Sequence, residues 1–180
     1  MQYTLEQFIA DARGTLQAEN NATGREKVRQ LVERLLQNQA FVASAFPEDA
    51  EAGRRTIYEE PNQGFIVLAH VAGKAGKSPP HDHGPSWAVY GQVTGYTDMT
   101  VWHRTDGGTG GGDASLETVK EYRLNPGEVG KYDVGDIHSI AFPDGARFLR
   151  VTGRDLDYVE RLKFDAAAGK AIVIESASAQ

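Results

Sequence analysis

The sequence predicts an all-β fold of antiparallel strands, closed as a barrel or stacked as a sandwich, preceded by α-helices. Three observations predict it. Residues 4–46 carry apolar positions at helical spacing. From about Thr56 the texture changes to short runs rich in Val, Ile, Thr and aromatics, broken by Gly, Pro and Asp. No long helical pattern interrupts those runs, which disfavours βαβ units and a parallel sheet.

The helices come first. Thr4 with Gln7 three residues on makes a capping box, and Leu5, Phe8, Ile9, Ala12 and Leu16 follow at helical spacing. Thr23 with Glu26 makes a second box. Behind it Val28, Leu31, Val32, Leu35 and Leu36 form one apolar stripe. QAFVASAF either extends this helix or forms a third, and Pro47 closes the region. The stripes read as packing faces.

The candidate strands are FIVLAHVA, WAVYGQV, YTDMTVWHR, TVKEYRL, HSIAF, FLRVTG and AIVIES. The Gly-rich stretch TDGGTGGGDAS, residues 105–115, lacks the Lys-Ser/Thr ending of a phosphate loop and no helix follows it. It reads as a flexible hairpin connection. The chain therefore divides into a helical segment over 1–50 that packs on the barrel, a barrel domain over 51–175, and a flexible tail over 176–180.

Composition narrows the function classes. The 180 residues carry a formal net charge of −6, which argues against nucleic acid or an anionic membrane as a partner. There is no cysteine, so neither a disulfide nor a thiolate nucleophile or ligand is available. The start MQYTLEQFIADARG shows no basic region followed by an apolar run. The chain reads as a cytoplasmic protein.

The chemistry concentrates in histidines. In SPPHDHGPSW, His81 and His83 sit one residue apart, and in an extended chain such residues share a face. Of the other three, His138 follows a Gly-Asp turn at the start of an apolar strand, in NPGEVGKYDVGDIHSIAF. His70 and His103 are lone strand histidines with no partner motif and read as structural or surface residues. Asp82 reads as pointing away from a metal, and Asp133 and Asp136 read as turn residues. Three imidazoles with no carboxylate suit iron, zinc, copper and nickel alike, so the ligands do not choose the metal.

The spacing of these residues resembles the two motifs of the cupin superfamily. Gly127, Asp133, Gly135 and His138 match the second, with Asp133 where proline is usual. His81-Asp82-His83, Ala88 and Gly95 match the frame of the first, with alanine in place of the carboxylate ligand. The stretch SPPHDHGPSWAVYGQVTG further resembles the cysteine dioxygenase-like group, the thiol dioxygenases, over about Arg54 to Tyr158. The small residues after the histidine pair resemble the mercaptopropionate dioxygenase branch.

The resemblance implies a jelly-roll (cupin) barrel behind N-terminal α-helices. It implies Fe(II) on His81, His83 and His138, and addition of both atoms of dioxygen to a small carboxylated thiol, forming a sulfinate. It implies that Arg55, with the Gly64-Phe65 turn in register, binds the substrate carboxylate. Tyr158 stands near the place of a family tyrosine, and Tyr158 or Tyr90 would hydrogen-bond bound oxygen. Strand alternation from Ala88 sends Tyr90 and Gln92 inward, and Trp87 either roofs the pocket or packs in the barrel. The family's Ser-x-His-x-Tyr support is missing from FLRVTGRDLDYVER, where Arg150 or Thr152 fills the place according to which face points inward. The family's cysteine–tyrosine cross-link cannot form, since Ala88 stands at the matching position. Two other readings stay open: a zinc- or nickel-dependent hydrolase or isomerase, and a non-catalytic small-molecule-binding barrel.

Overall fold

The structure, a computed structural model, describes residues 2–177. Three helices open the chain: α1 (Leu5–Ala18), α2 (Ala22–Leu36) and α3 (Gln39–Ala45). Thr4 caps α1 with the expected reciprocal box to Gln7. The cap of α2 differs from the expectation. Asn21 fills it, and its side chain accepts from the Thr23 and Gly24 amides, so Thr23 lies inside the first turn. Asn is at least as good a cap as Thr, and Asn21 directly precedes Ala22, two residues before Thr23. QAFVASAF is a separate helix, started by the Asn38 side chain.

Twelve strands follow: β1 (Gly53–Glu59), β2 (Ile66–Val71), β3 (Gly76–Lys77), β4 (Ala88–Thr94), β5 (Thr97–Arg104), β6 (Gly112–Asp113), β7 (Leu116–Leu124), β8 (Val129–Tyr132), β9 (Ile137–Phe142), β10 (Arg147–Thr152), β11 (Arg161–Asp165) and β12 (Lys170–Ile174). All strand pairs are antiparallel. One sheet has the order β1-β2-β10-β4-β8 and a second β3-β9-β5-β7. With β1 set aside as an added edge, the eight core strands are arranged first-eighth-third-sixth and second-seventh-fourth-fifth. That interleaving is a jelly roll. A small third sheet has the order β11-β12-β6. The Gly-rich stretch between β5 and β7 is thus more than a connection, because it contributes β6.

The first sheet separates two apolar layers. Its outer residues Val67, Ala69, Val89, Leu149 and Val151 pack with Phe8, Ala12, Leu16, Val28, Val32 and Leu35 of the helices. Each buried Val, Leu or Phe among them contributes on the order of 1.5–3 kcal/mol. The approach is close at Gly91, where an added Cβ would lie 2.6 Å from Leu36 Cδ1. The inner residues Ala88, Tyr90, Tyr132 and Phe148 pack with Met99 and Leu124 inside the barrel. With both faces covered, β2 shows a continuous apolar run in place of alternation. No helix among the described residues is long and apolar enough to cross a membrane.

Candidate metal centre

Residues 78–83 are sewn between β9 and β11. The His81 amide donates to the His138 carbonyl at 2.8 Å and the His138 amide returns to His81 at 3.0 Å. On the other side Asp82 N donates to Leu162 O, and Phe164 N donates to Pro80 O. The Asp82 carboxylate turns away from the barrel, accepting from the Gly84 and Leu162 amides. Gly84 then takes φ +56, and an added Cβ would stand 2.0 Å from the Glu160 carbonyl oxygen. This tight turn lets the chain bring His83 inward before β4 begins. His138 enters β9 after the Asp133–Asp136 turn, in which the Asp133 amide donates to the Asp136 carboxylate.

The three imidazoles converge, with one nitrogen of each within 4.8 Å of the others. His81 Nε2 and His138 Nε2 are 3.2 Å apart. Two nitrogens sharing one ion at bond lengths of about 2.0–2.1 Å would sit roughly 3.0–3.4 Å apart. His81 Nδ1 lies 3.0 Å from the Pro79 carbonyl, which fixes the proton there and leaves the Nε2 lone pair free. His83 and His138 are 1% and 0% exposed, and each has a buried Nδ1 without a partner. Burial drives all three pKa values down, and the charge of Arg150 adds to it. Neutral imidazoles are the form that binds a metal. No carboxylate joins the group among the described residues. Donor type, spacing and protonation therefore fit a metal ion, and the three-histidine group can hold one.

Two tyrosines wall the group. Tyr90, on the inner face of β4 as alternation predicts, places its hydroxyl 3.3 Å from His83 Nε2. Burial raises its pKa, so it stays protonated. The Tyr132 ring meets the His138 ring edge to face at 3.8 Å between centroids, and its hydroxyl bonds Tyr122 at 2.7 Å. Sequence reasoning missed Tyr132. Its signal is alternation in β8, where Gly130 pairs with Tyr90 and Tyr132 with Ala88.

Two expected site residues are elsewhere. Arg55 pairs with Ala69 across β1 and β2, which puts it on the helix side of the sheet. Its guanidinium donates to the Ala45 carbonyl at 2.7 Å, outside the barrel. Parity instead gives the inner face to Arg54, opposite His70, and Arg54 forms an ion pair with Asp157 at the sheet edge. Tyr158 lies on a short 3₁₀ turn, Leu156–Tyr158, and is 58% exposed. The chain leaves the barrel after Thr152, so Tyr158 is not among the rings packed on the histidines.

The remaining candidates are placed as follows. Arg150 points inward, on the same face as Tyr90, with its Nε buried and without a partner. Thr152 is turned to the Arg154 carbonyl. Trp87 packs in the layer between sheet and helices and does not roof the histidines. His70 is half-buried and stacks on Phe148, ring on ring at 4.7 Å, and desolvation pushes it down to about 3. His103 is exposed on β5.

No family model matches the chain, and no curated protein matches it. Among solved structures, it is similar to a conserved protein with a double-stranded β-helix domain from Klebsiella pneumoniae. The identity is 17% and the TM-score 0.39, over 62% of this chain and 84% of that one. It is similar to KdgF from Halomonas sp. at 15% identity and a TM-score of 0.42, over 58% and 83% of the two chains. A cupin superfamily protein from Desulfitobacterium hafniense has 14% identity and a TM-score of 0.40, over 60% and 84%. At these identities and scores the comparisons assign neither a ligand nor a reaction. The jelly roll rests on the strand order, and the capacity to hold a metal rests on the three imidazoles.

Proposed function

We propose that the protein is an Fe(II)-dependent dioxygenase of the cupin type that oxidises a small carboxylated thiol, such as cysteine or mercaptopropionate, to a sulfinate. In this reaction both oxygen atoms of dioxygen end on the sulfur. Sulfur loses four electrons, dioxygen gains four, and the thiol proton ends on the sulfinic acid or in solvent, so no further reductant is needed. A bound Fe(II) would supply the open positions and the electron transfer that let a thiolate and dioxygen meet.

The observation that carries the reading is the donor set. Three neutral imidazoles with no carboxylate leave the full charge of a divalent ion uncompensated by protein, which favours an anionic thiolate as the incoming group. The chain's own contribution is positional. The backbone pairing of His81 with His138 fixes the angle between two donors. Tyr90 holds a hydroxyl proton beside His83, where it can donate to an oxygen or sulfur atom of the reactants.

A zinc- or nickel-dependent hydrolase or isomerase would need a general base at the site. Asp82 is bonded outward and Asp136 is committed to its turn, so neither carboxylate serves. The test is oxygen uptake by the iron-loaded protein over a panel of thiols, with the product weighed by mass spectrometry. One dioxygen consumed per sulfinate is expected. No uptake with any carboxylated thiol by protein of full iron content contradicts the proposal.

A further inference from the structure

Tyr132 and Tyr122 form a pair that leads away from the three histidines toward the side of the barrel. Tyr132 stands on β8 and Tyr122 on β7, the terminal strands of their sheets, and their hydroxyls bond across the seam at 2.7 Å. At the inner end the Tyr132 ring lies against the His138 ring, 3.8 Å between centroids. Tyr132 is 2% exposed, whereas Tyr122 is only half-buried. Burial, and then Tyr122, push the Tyr132 pKa up, so Tyr132 is a neutral phenol.

A neutral phenol gives up an electron readily only if its proton leaves at the same time. That condition separates the two tyrosines beside the histidines. The Tyr90 hydroxyl lies 3.3 Å from His83 Nε2. A neutral imidazole on a metal has no lone pair left, since one nitrogen holds the ion and the other a proton. Arg150, the other polar neighbour of Tyr90, only donates. The proton of Tyr90 is therefore trapped. Tyr132 instead meets a hydroxyl, which both accepts and donates. Its proton moves to the Tyr122 oxygen as Tyr122 releases its own to solvent.

We propose that Tyr132 and Tyr122 carry an oxidising equivalent out of the histidine centre when no thiol is bound, and that it ends as a neutral radical on Tyr122. This rests on reading the three histidines as an iron site, and not on the identity of the thiol. The oxidant is hydrogen peroxide. It takes one electron from ferrous iron and one from Tyr132, and its O–O bond breaks. One proton is taken up at the peroxide, matching the one that the tyrosine pair releases, so the oxygen products are one hydroxide and one water. A hydrogen atom then crosses from the Tyr122 oxygen to the Tyr132 oxygen, which restores the inner phenol. A small reductant such as ascorbate returns a hydrogen atom to Tyr122. The route spares Met99, a buried thioether that packs with Tyr90 and Tyr132 and is open to oxidation to the sulfoxide.

Freeze-quenched electron paramagnetic resonance tests this on iron-loaded, oxygen-free protein mixed with hydrogen peroxide, with iron content measured in every sample. Wild type should give a tyrosyl radical, and metal-free wild type none. The radical oxygen should accept a hydrogen bond from an exchangeable proton, the hydroxyl of Tyr132, seen as a coupling that is lost in D2O. Tyr122→Phe and Tyr132→Phe should each lose the radical at unchanged iron content. Iron-loaded wild type without a tyrosyl signal, or with a radical that lacks the exchangeable coupling, overturns the relay, and neither result depends on a variant that folds. A radical that survives in Tyr122→Phe, or that is lost only in Tyr90→Phe, overturns it as well. Wild type that takes up no iron overturns the iron reading and the relay with it. A protein that forms the Tyr122 radical and oxidises no thiol overturns the thiol reading and supports the relay.

Discussion

His81 and His138 face each other across an antiparallel backbone pair and meet again at their ring tips, where the two Nε2 atoms are 3.2 Å apart. The same two hydrogen bonds that hold the strands therefore set the separation of two donors. A site built on a strand ladder keeps its geometry better than one carried on a free loop. His83 is held differently, by the turn at Gly84.

Gly84→Ala tests that turn. The residue takes φ +56, and an added Cβ would press on the Glu160 carbonyl oxygen. The backbone conformation alone should cost about 1–3 kcal/mol in denaturant unfolding. Because His83 is the next residue back, metal content should fall with stability. Gly84→Ala that retains full metal and full stability would show that the turn does not position His83.

Tyr90→Phe removes one hydroxyl and leaves the ring in its packing against Tyr132 and Phe148. Stability should change by no more than about 1.5 kcal/mol, the scale of one hydrogen bond. Turnover of the carboxylated thiol should fall about 10- to 100-fold, with iron content unchanged. Steady-state kinetics beside metal analysis separates this from simple loss of the site.

Arg55→Ala should leave thiol oxidation as it is. The side chain bonds only the Ala45 carbonyl, on the helix side of the sheet. Its removal should cost about 0.5–1.5 kcal/mol of stability. A rise in KM for the acid thiol in Arg55→Ala would return the anion-binding role to β1.

Glu60 carries a predictable pH dependence. Arg13, and then Tyr58, hold its carboxyl down at about 2 by hydrogen bonds, against an ordinary value of 4.5. A depressed carboxylate stabilises the fold fully above its unfolded pKa and loses that contribution as pH falls through its folded one. The melting temperature of wild type should thus exceed that of Glu60→Gln near neutrality. The gap should close between about pH 4.5 and pH 2. A gap that is constant over that window would show that Glu60 acts by shape alone.

Much of the site was legible because local rules converge there. The stripe Val28–Leu36 and the box at Thr4 mark two helices, and the Gly-Asp turn delivers His138 to its strand. Tyr90 follows from Ala88 by alternation. Arg55 did not follow, since β1 is an edge strand with an almost uniformly exposed pattern, and GRRTIYE offers no alternation to say which arginine points inward. A bulge between Thr56 and Tyr58 further breaks any count from one end of that strand. β3 and β6 have two residues each, too few to show a period. The register that turns Arg150 toward the histidines is set by its two neighbours, β2 and β4, and is visible only once they are paired.

The central claim is that His81, His83 and His138 jointly hold one catalytic metal. Metal analysis with X-ray absorption at the iron edge tests it most directly, on protein loaded with Fe(II) without oxygen and then desalted. The expected result is one iron per chain with nitrogen ligands at about 2.0–2.2 Å, and sharply reduced iron in His81→Ala, His83→Ala and His138→Ala. Wild-type protein that retains no stoichiometric metal, or a His138→Ala protein that retains it unchanged, would contradict the account.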